Sequence, residues 1–157
     1  MILLDQGRIN RTLTRMSYQI LEEAHLHPVR IVGLNKRGYS VATQIGATLS
    51  KASRAETPVM NIQSDDDSPF HLPEQMKDEV LVLTDDVIFS GGSMFRSIQK
   101  IPDLARFHKI IVAVLIDRGH RKFPVLAGIV GIHVPTKLKE HVALMLLEEK
   151  PHEVILS

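Results

Sequence analysis

The apolar positions of this chain follow two alternating rhythms. Ile9, Leu13, Met16 and Ile20 recur three or four residues apart, the spacing that gathers side chains on one face of a helix. Asp5 stands where a cap is expected and a His-Pro pair at His27 marks the end, so this segment reads as an amphipathic first helix. VRIVGL, Val29–Leu34, reads as a strand, because β-branched residues fit a pleated, buried surface. Asn35, Lys36, Arg37 and Gly38 follow as a turn, after which Val41, Ile45 and Leu49 resume helical spacing. PVMNIQ predicts another strand, SDDDSPFHLPEQMKD a polar loop, and EVLVLT a strand ending at Thr84. Ser93 is the expected N-cap of a short helix that stops before Pro102, since proline cannot continue one. KIIVAVLI predicts a buried strand, and the tail holds short β-like segments in GIVGIHVP, HVALMLLEE and HEVILS, where MLL fits a helix fragment equally well. Near-continuous apolar strands alternating with helices predict an α/β fold with a mainly parallel central sheet flanked by helices. With no internal repeat or linker, residues 1–157 read as one domain.

Composition narrows the class without naming the chemistry. A chain of 157 residues, 44% hydrophobic and with a formal net charge of +1, can bury a proper core. It has no cysteine, which excludes a disulfide framework and a thiolate zinc site and fits a cytoplasmic protein. The longest strongly apolar run, Ile110–Ile116, is too short to span a bilayer, and the opening MILL is halted by Asp5, so no membrane association is expected. Balanced charge offers no general attraction to polyanions, so a phosphate or RNA partner would need a local arrangement of groups.

Candidate chemistry concentrates in VLVLTDDVIFSGGSM, Val80–Met94. In a parallel sheet, ligands bind outside the carboxyl ends of the strands, and this stretch ends a strand there. The amides of Ser90 to Ser93 can form a concave nest at a helix start, suited to a phosphate dianion. Asp85 and Asp86 cannot take phosphate directly, but they can accept from the vicinal hydroxyls of a sugar that carries it. A solvated, helix-capping turn is the plainer explanation of two aspartates followed by glycines; the whole string is more particular than that. It is neither a P-loop, which ends in Gly-Lys-Ser/Thr, nor a G-x-G-x-x-G dinucleotide turn. Lys36 and Arg37 alone would read as a solvated basic turn, but their place after a strand at the same sheet edge favours anion binding. The eight histidines show no metal-ligand spacing; only His120 falls near the proposed site. Asp65, Asp66 and Asp67 read as a solvated acidic run.

TDDVIFSGGS resembles the phosphoribosyl-pyrophosphate (PRPP) motif of type I phosphoribosyltransferases. INRTLTRMSYQIL, VGLNKRGYSVA, AVLIDRGHRKFP and VGIHVPTK are similar, in the same order, to the bifunctional pyrimidine-operon regulators and uracil phosphoribosyltransferases, so the resemblance covers nearly the full length. It implies a type I phosphoribosyltransferase fold and an enzyme that binds PRPP with Mg2+ and transfers phosphoribosyl to uracil, giving UMP and pyrophosphate. It assigns Asp85 and Asp86 to the ribose hydroxyls, the developing ring cation and the magnesium. Ser90, Gly91, Gly92 and Ser93 fall to the 5′-phosphate, Lys36, Arg37 and Gly38 to the pyrophosphate, and Asp117 and Arg118 to the base. A homodimer or larger homo-oligomer is the family expectation.

Three departures accompany the match. The interval from Ser50 to Lys77, a substrate-covering loop in the family, is short here and its SDDDSPFHLPE stretch has no arginine. Gly92 stands where the family often has arginine. Tyr18, Leu126 and Ile132 occupy places where RNA-binding members present histidine or basic side chains, which argues against RNA binding. Two readings other than the enzyme stay open, a pyrimidine-responsive RNA-binding attenuator and a catalytically weak nucleotide sensor.

Overall fold

A computed structural model describes residues 1–74 and 76–157. Strand β1 (Ile2–Leu4) leads into α1 (Gln6–Ala24), followed by β2 (Val29–Leu34), α2 (Asn35–Ser53), β3 (Val59–Ile62) and β4 (Val80–Ile88). After α3 (Gly92–Lys100) and a 3-10 turn at Leu104–Arg106 come β5 (Lys109–Asp117), β6 (Ile129–His133), β7 (Val142–Leu147) and β8 (Lys150–Leu156). Five strands form a parallel sheet in the order β3-β2-β4-β5-β6. β1, β8 and β7 form a separate antiparallel sheet that joins the two ends of the chain, with Ile2 opposite Ile155.

The central strands are apolar at nearly every position because both faces are covered. Val80 and Val82 of β4 enter the core shared with α1 and α2, through Ile9, Leu13, Met16, Ile20, Val41, Ile45 and Leu49. Leu81 and Leu83, the alternate residues, point to the opposite face and pack with Met94 of α3 and with Phe107. Burying each such side chain stabilises the fold by about 1.5–3 kcal/mol. Asp5 caps α1 as expected, its carboxylate accepting from the Arg8 amide at 2.8 Å.

The structure corrects the expected boundaries. β4 does not stop at Thr84 but runs through both aspartates to Ile88. Asn35–Gly38 is not a separate turn, since β2 passes directly into the first turn of α2. The N-cap of α3 is Gly91, in the left-handed region at φ 85°, and not Ser93, which lies inside the helix. The MLL segment is strand, within β7. Among the described residues no helix is long and apolar enough to cross a membrane.

Candidate functional site

β4 pairs with both neighbours only as far as Thr84, opposite Gly33; beyond that point β2 has turned into α2 and pairing continues with β5 alone, Asp85 opposite Val114 and Ile88 opposite Asp117. The aspartates therefore emerge on a strand with one edge open, at the carboxyl end of the parallel sheet. The first turn of α2 closes over this edge. A methyl group added at Gly38 would lie 3.0 Å from both the Asp85 Oδ1 and the Thr84 carbonyl, so the absence of a side chain sets the approach of helix to strand.

A cleft of about 560 Å³ opens there, lined by Lys36 and Arg37 from α2, Asp85 and Asp86 from β4, Ser93 from α3, and Gln63, Asp65 and Asp66 from the segment after β3. A larger cavity of about 690 Å³ lies between α1, α2 and the β7–β8 turn. It shares Lys36 with the cleft but holds none of the aspartates of β4, which open into the smaller space. Asp85 is buried and its Oδ1 accepts from the Asp86 amide at 2.9 Å. Burial, and next the charge of Asp86, push its carboxyl well above the usual carboxylate range. Lys36 and Arg37 are both exposed, and Arg37 donates from Nε to the Leu144 carbonyl at 2.8 Å, tying α2 to β7 of the small sheet.

The turn from Phe89 to Ser93 is braced from behind. Lys122 and Phe123 donate their amides to the Ser90 carbonyl at 2.9 and 3.0 Å, and the Gly92 amide donates to Ser90 Oγ at 3.2 Å. Arg121 holds the same turn from the side, donating to the Phe89 carbonyl at 2.9 Å and to Asp117 at 2.7 Å. Asp117 is shifted upward by burial, but the Arg121 and Gly119 hydrogen bonds and nearby positive charge outweigh this and keep its carboxyl below the usual range.

The sequence-predicted residues thus divide. Lys36, Arg37, Asp85, Asp86 and Ser93 share the cleft, with Gly38 against Asp85 and Ser90, Gly91 and Gly92 in the adjoining turn. Asp117 and Arg118 lie outside the cleft lining, at the end of β5. The Arg118 guanidinium sits 4.2 Å over the Phe89 ring and is committed to Thr136 Oγ1 at 2.7 Å and the Glu140 carbonyl at 2.6 Å. His120 contacts the Thr136 carbonyl at 2.8 Å.

The acidic run is exposed, as expected, but two of its members also have partners. Asp65 pairs with Arg96 at 2.7 Å and Asp66 with Lys100 at 3.5 Å, both partners on α3, and both aspartates line the cleft. The Asp66 carboxyl is held below its usual range, chiefly by its bonds from Ser68. Asn35 fixes the start of this segment, donating to Ser64 Oγ at 2.8 Å and accepting from the Ser64 amide at 3.0 Å. Spacing along the chain carried no signal for these contacts, which join residues about 30 positions apart.

A model of the phosphoribosyl transferase domain matches residues 2–141. The chain belongs to the phosphoribosyltransferase family. Bifunctional PyrR proteins are among its relatives. The bifunctional protein PyrR of Ligilactobacillus salivarius is 33% identical over 156 residues, covering 89% of this chain and 88% of that protein. The bifunctional protein PyrR of Geobacter sulfurreducens is 33% identical over 171 residues, covering 99% and 97%. Solved phosphoribosyltransferases share the fold at low identity. The hypoxanthine phosphoribosyltransferase of Trypanosoma cruzi, solved with its product IMP, superposes with a TM-score of 0.71 at 13% identity, covering 85% of this chain and 76% of its own. The purine phosphoribosyltransferase of Pyrococcus horikoshii gives 0.67 at 19% identity, covering 83% and 86%.

Proposed function

We propose that this phosphoribosyltransferase moves the 5-phosphoribosyl group of PRPP to uracil, forming UMP and releasing pyrophosphate. The observation that carries the reading is the cleft in which the paired aspartates of β4, Ser93 of α3 and the basic first turn of α2 meet, with the glycine turn adjoining it. In the reaction the bond from the anomeric carbon to pyrophosphate breaks with its electron pair leaving on oxygen. N1 of uracil bonds to that carbon and gives up its proton to solvent. Positive charge grows on the ribose ring and negative charge on the leaving group, and each needs a matched, preorganised surrounding. Asp85 and Asp86 accept from the ribose hydroxyls and favour the cationic ring. Ser90, Gly91, Gly92 and Ser93 hold the 5′-phosphate with amides and hydroxyls. Lys36 meets the leaving pyrophosphate, Arg37 braces it from its place against β7, and Gly38 lets the backbone approach. The base lies toward the Asp117–Arg118 end of β5, whose side chains stiffen that wall through Arg121 and Thr136.

Among the described residues no three histidine or acidic side chains are arranged to hold a metal unaided. Two carboxylates beside a diphosphate suit Mg2+, which commonly binds through one or two protein oxygens and substrate phosphates. Asp85 and Asp86 are the residues that would hold it with PRPP, and bound there it would neutralise the departing diphosphate. The segment after β3 lines the cleft with Gln63, Asp65 and Asp66 and its SDDDSPFHLPE stretch offers no arginine to the leaving pyrophosphate, so we expect PRPP binding to be easily detected and turnover to be slow. A cytoplasmic homo-oligomer completes the reading.

Pyrophosphate release from PRPP and Mg2+ with uracil, cytosine, hypoxanthine, guanine and xanthine tests it. Release with uracil supports the proposal; release with a purine and none with uracil overturns it. The relatives' bifunctional name keeps a second reading, RNA binding, in play against the expectation drawn from the sequence. Tyr18 and Leu126 are 54% and 84% exposed, which weakens a basic RNA-binding face, since backbone affinity comes from clustered Lys and Arg. A gel shift with a pyrimidine-operon leader separates the two: nanomolar, hairpin-selective binding at physiological salt would restore the regulator.

A further inference from the structure

The glycine turn offers neutral donors to a dianion, and of the cations around it one folds onto the turn itself. Arg121 is spent on Asp117 and the carbonyls of Phe89 and Val125. Lys122 lies 5.6 Å from the Phe123 ring centroid, and Lys100 is taken by the Gln63 and Ser68 carbonyls and Asp66. Arg96 differs. It projects from α3 one turn beyond Gly92, and its Nη1 lies 3.2 Å from where a Cβ on Gly92 would be. Its Nη2 is 3.4 Å from Ser93 Oγ and 2.7 Å from Asp65 Oδ1, and its Nε donates to the Ser64 carbonyl at 3.3 Å. The missing side chain at Gly92 is the space through which this guanidinium folds back onto the turn; a side chain there would meet it, and Phe123 at 3.3 Å besides.

The anion that holds Arg96 is weakly committed. The side chains of Arg96 and Asp65 are 50% and 66% exposed, and ion pairs so exposed to water contribute little to stability. A phosphate carries more charge than a carboxylate and offers more acceptor oxygens to a planar guanidinium. We propose that Arg96 is a phosphate-binding residue of this site, that Asp65 occupies it as a placeholder while the cradle is empty, and that a sugar 5′-phosphate displaces Asp65 from it. Gly92 and Arg96 then form one device: the glycine vacates the position and the arginine, from one turn later, supplies the charge. Phosphate capture is thereby coupled to the segment after β3, because that contact is one of those joining the segment to α3. The inference rests on the reading of the turn as a 5′-phosphate cradle.

Equilibrium binding of UMP, ribose 5-phosphate and uridine, without turnover, tests it in the wild type, Arg96→Ala, Arg96→Lys and Asp65→Ala, with circular dichroism to verify folding. Arg96→Ala should weaken UMP and ribose 5-phosphate by about tenfold or more, the loss of a charge-assisted contact, and leave uridine unchanged; Arg96→Lys should recover part of the loss. Asp65→Ala should move the other way and tighten the two phosphates several-fold by removing the competitor. If the wild type binds UMP and Arg96→Ala binds it equally well, or if Asp65→Ala weakens it as Arg96→Ala does, the proposal fails while the cradle stands. If the wild type binds neither phosphate, cradle and proposal fail together.

Discussion

Exchanging Asp85 for asparagine should impair catalysis and strengthen the fold in the same molecule. One oxygen of Asp85 already accepts from the Asp86 amide at 2.9 Å and faces the close approach of Gly38, 3.0 Å from a Cβ at that position. That leaves Oδ2 as the oxygen available to a ribose hydroxyl. One hydrogen bond to a charged group contributes about 1.5–3 kcal/mol, so losing its charge should lower kcat/KM by roughly tenfold to a hundredfold. The effect on stability has the opposite sign. Burial and the neighbouring Asp86 raise the Asp85 pKa in the folded state, so the native protein binds this proton more tightly than the unfolded chain does. The stabilisation is complete below the ordinary carboxylate range and is lost as pH rises through the raised folded value. Asparagine keeps the shape and the bond to the Asp86 amide and carries no charge to desolvate. Its Tm should therefore exceed that of the wild type at neutral pH, and the gap should close in acid. Pyrophosphate release and thermal melts by circular dichroism, the latter across a pH series, measure the two effects. A variant as active as the wild type, or one that melts lower at neutral pH, would refute this account of Asp85.

Asp117→Asn should shift the other limb of the stability curve. Its carboxyl is held below the usual range in the fold, Arg121 and Gly119 outweighing burial, so its contribution is present above that range and lost as pH falls through the depressed value; acid melts of the variant should lose this slope. Glu79→Gln breaks a buried pair in which Arg30 and Glu79 are 4% and 1% exposed. Removing one charge should cost about 3–5 kcal/mol, or roughly 6–20 °C in Tm, read from urea and thermal unfolding. Gly33→Ala would bring a methyl to 2.7 Å from the Gly38 carbonyl, the Tyr39 Cα and the Ala42 Cβ. Overpacking of this kind costs about 1–3 kcal/mol or more; because it pushes the first turn of α2 away from β2, PRPP affinity measured by calorimetry should fall with stability.

Local pattern was enough for what depends on neighbours along the chain. Helix α1 with its Asp5 cap, the apolar strands β2, β4 and β5, and the aspartate-glycine string between sheet and helix all have a periodicity or a turn chemistry that physics reads within a dozen residues. Which residues end a strand is decided elsewhere. β4 continues past Thr84 because β5 still supplies partners for Asp85, Val87 and Ile88, while β2 does not, and a hydrogen-bonded ladder has no signature in one strand alone. The small sheet uniting Ile2 with Ile155, the commitment of Arg118 to residues 18 to 22 positions downstream, and the meeting of Asp65 with Arg96 across 31 positions belong to the same class. The chemical identity of an acidic run is written in the chain; whether it is solvated or holds an arginine beside a glycine turn depends on which surface folding brings against it.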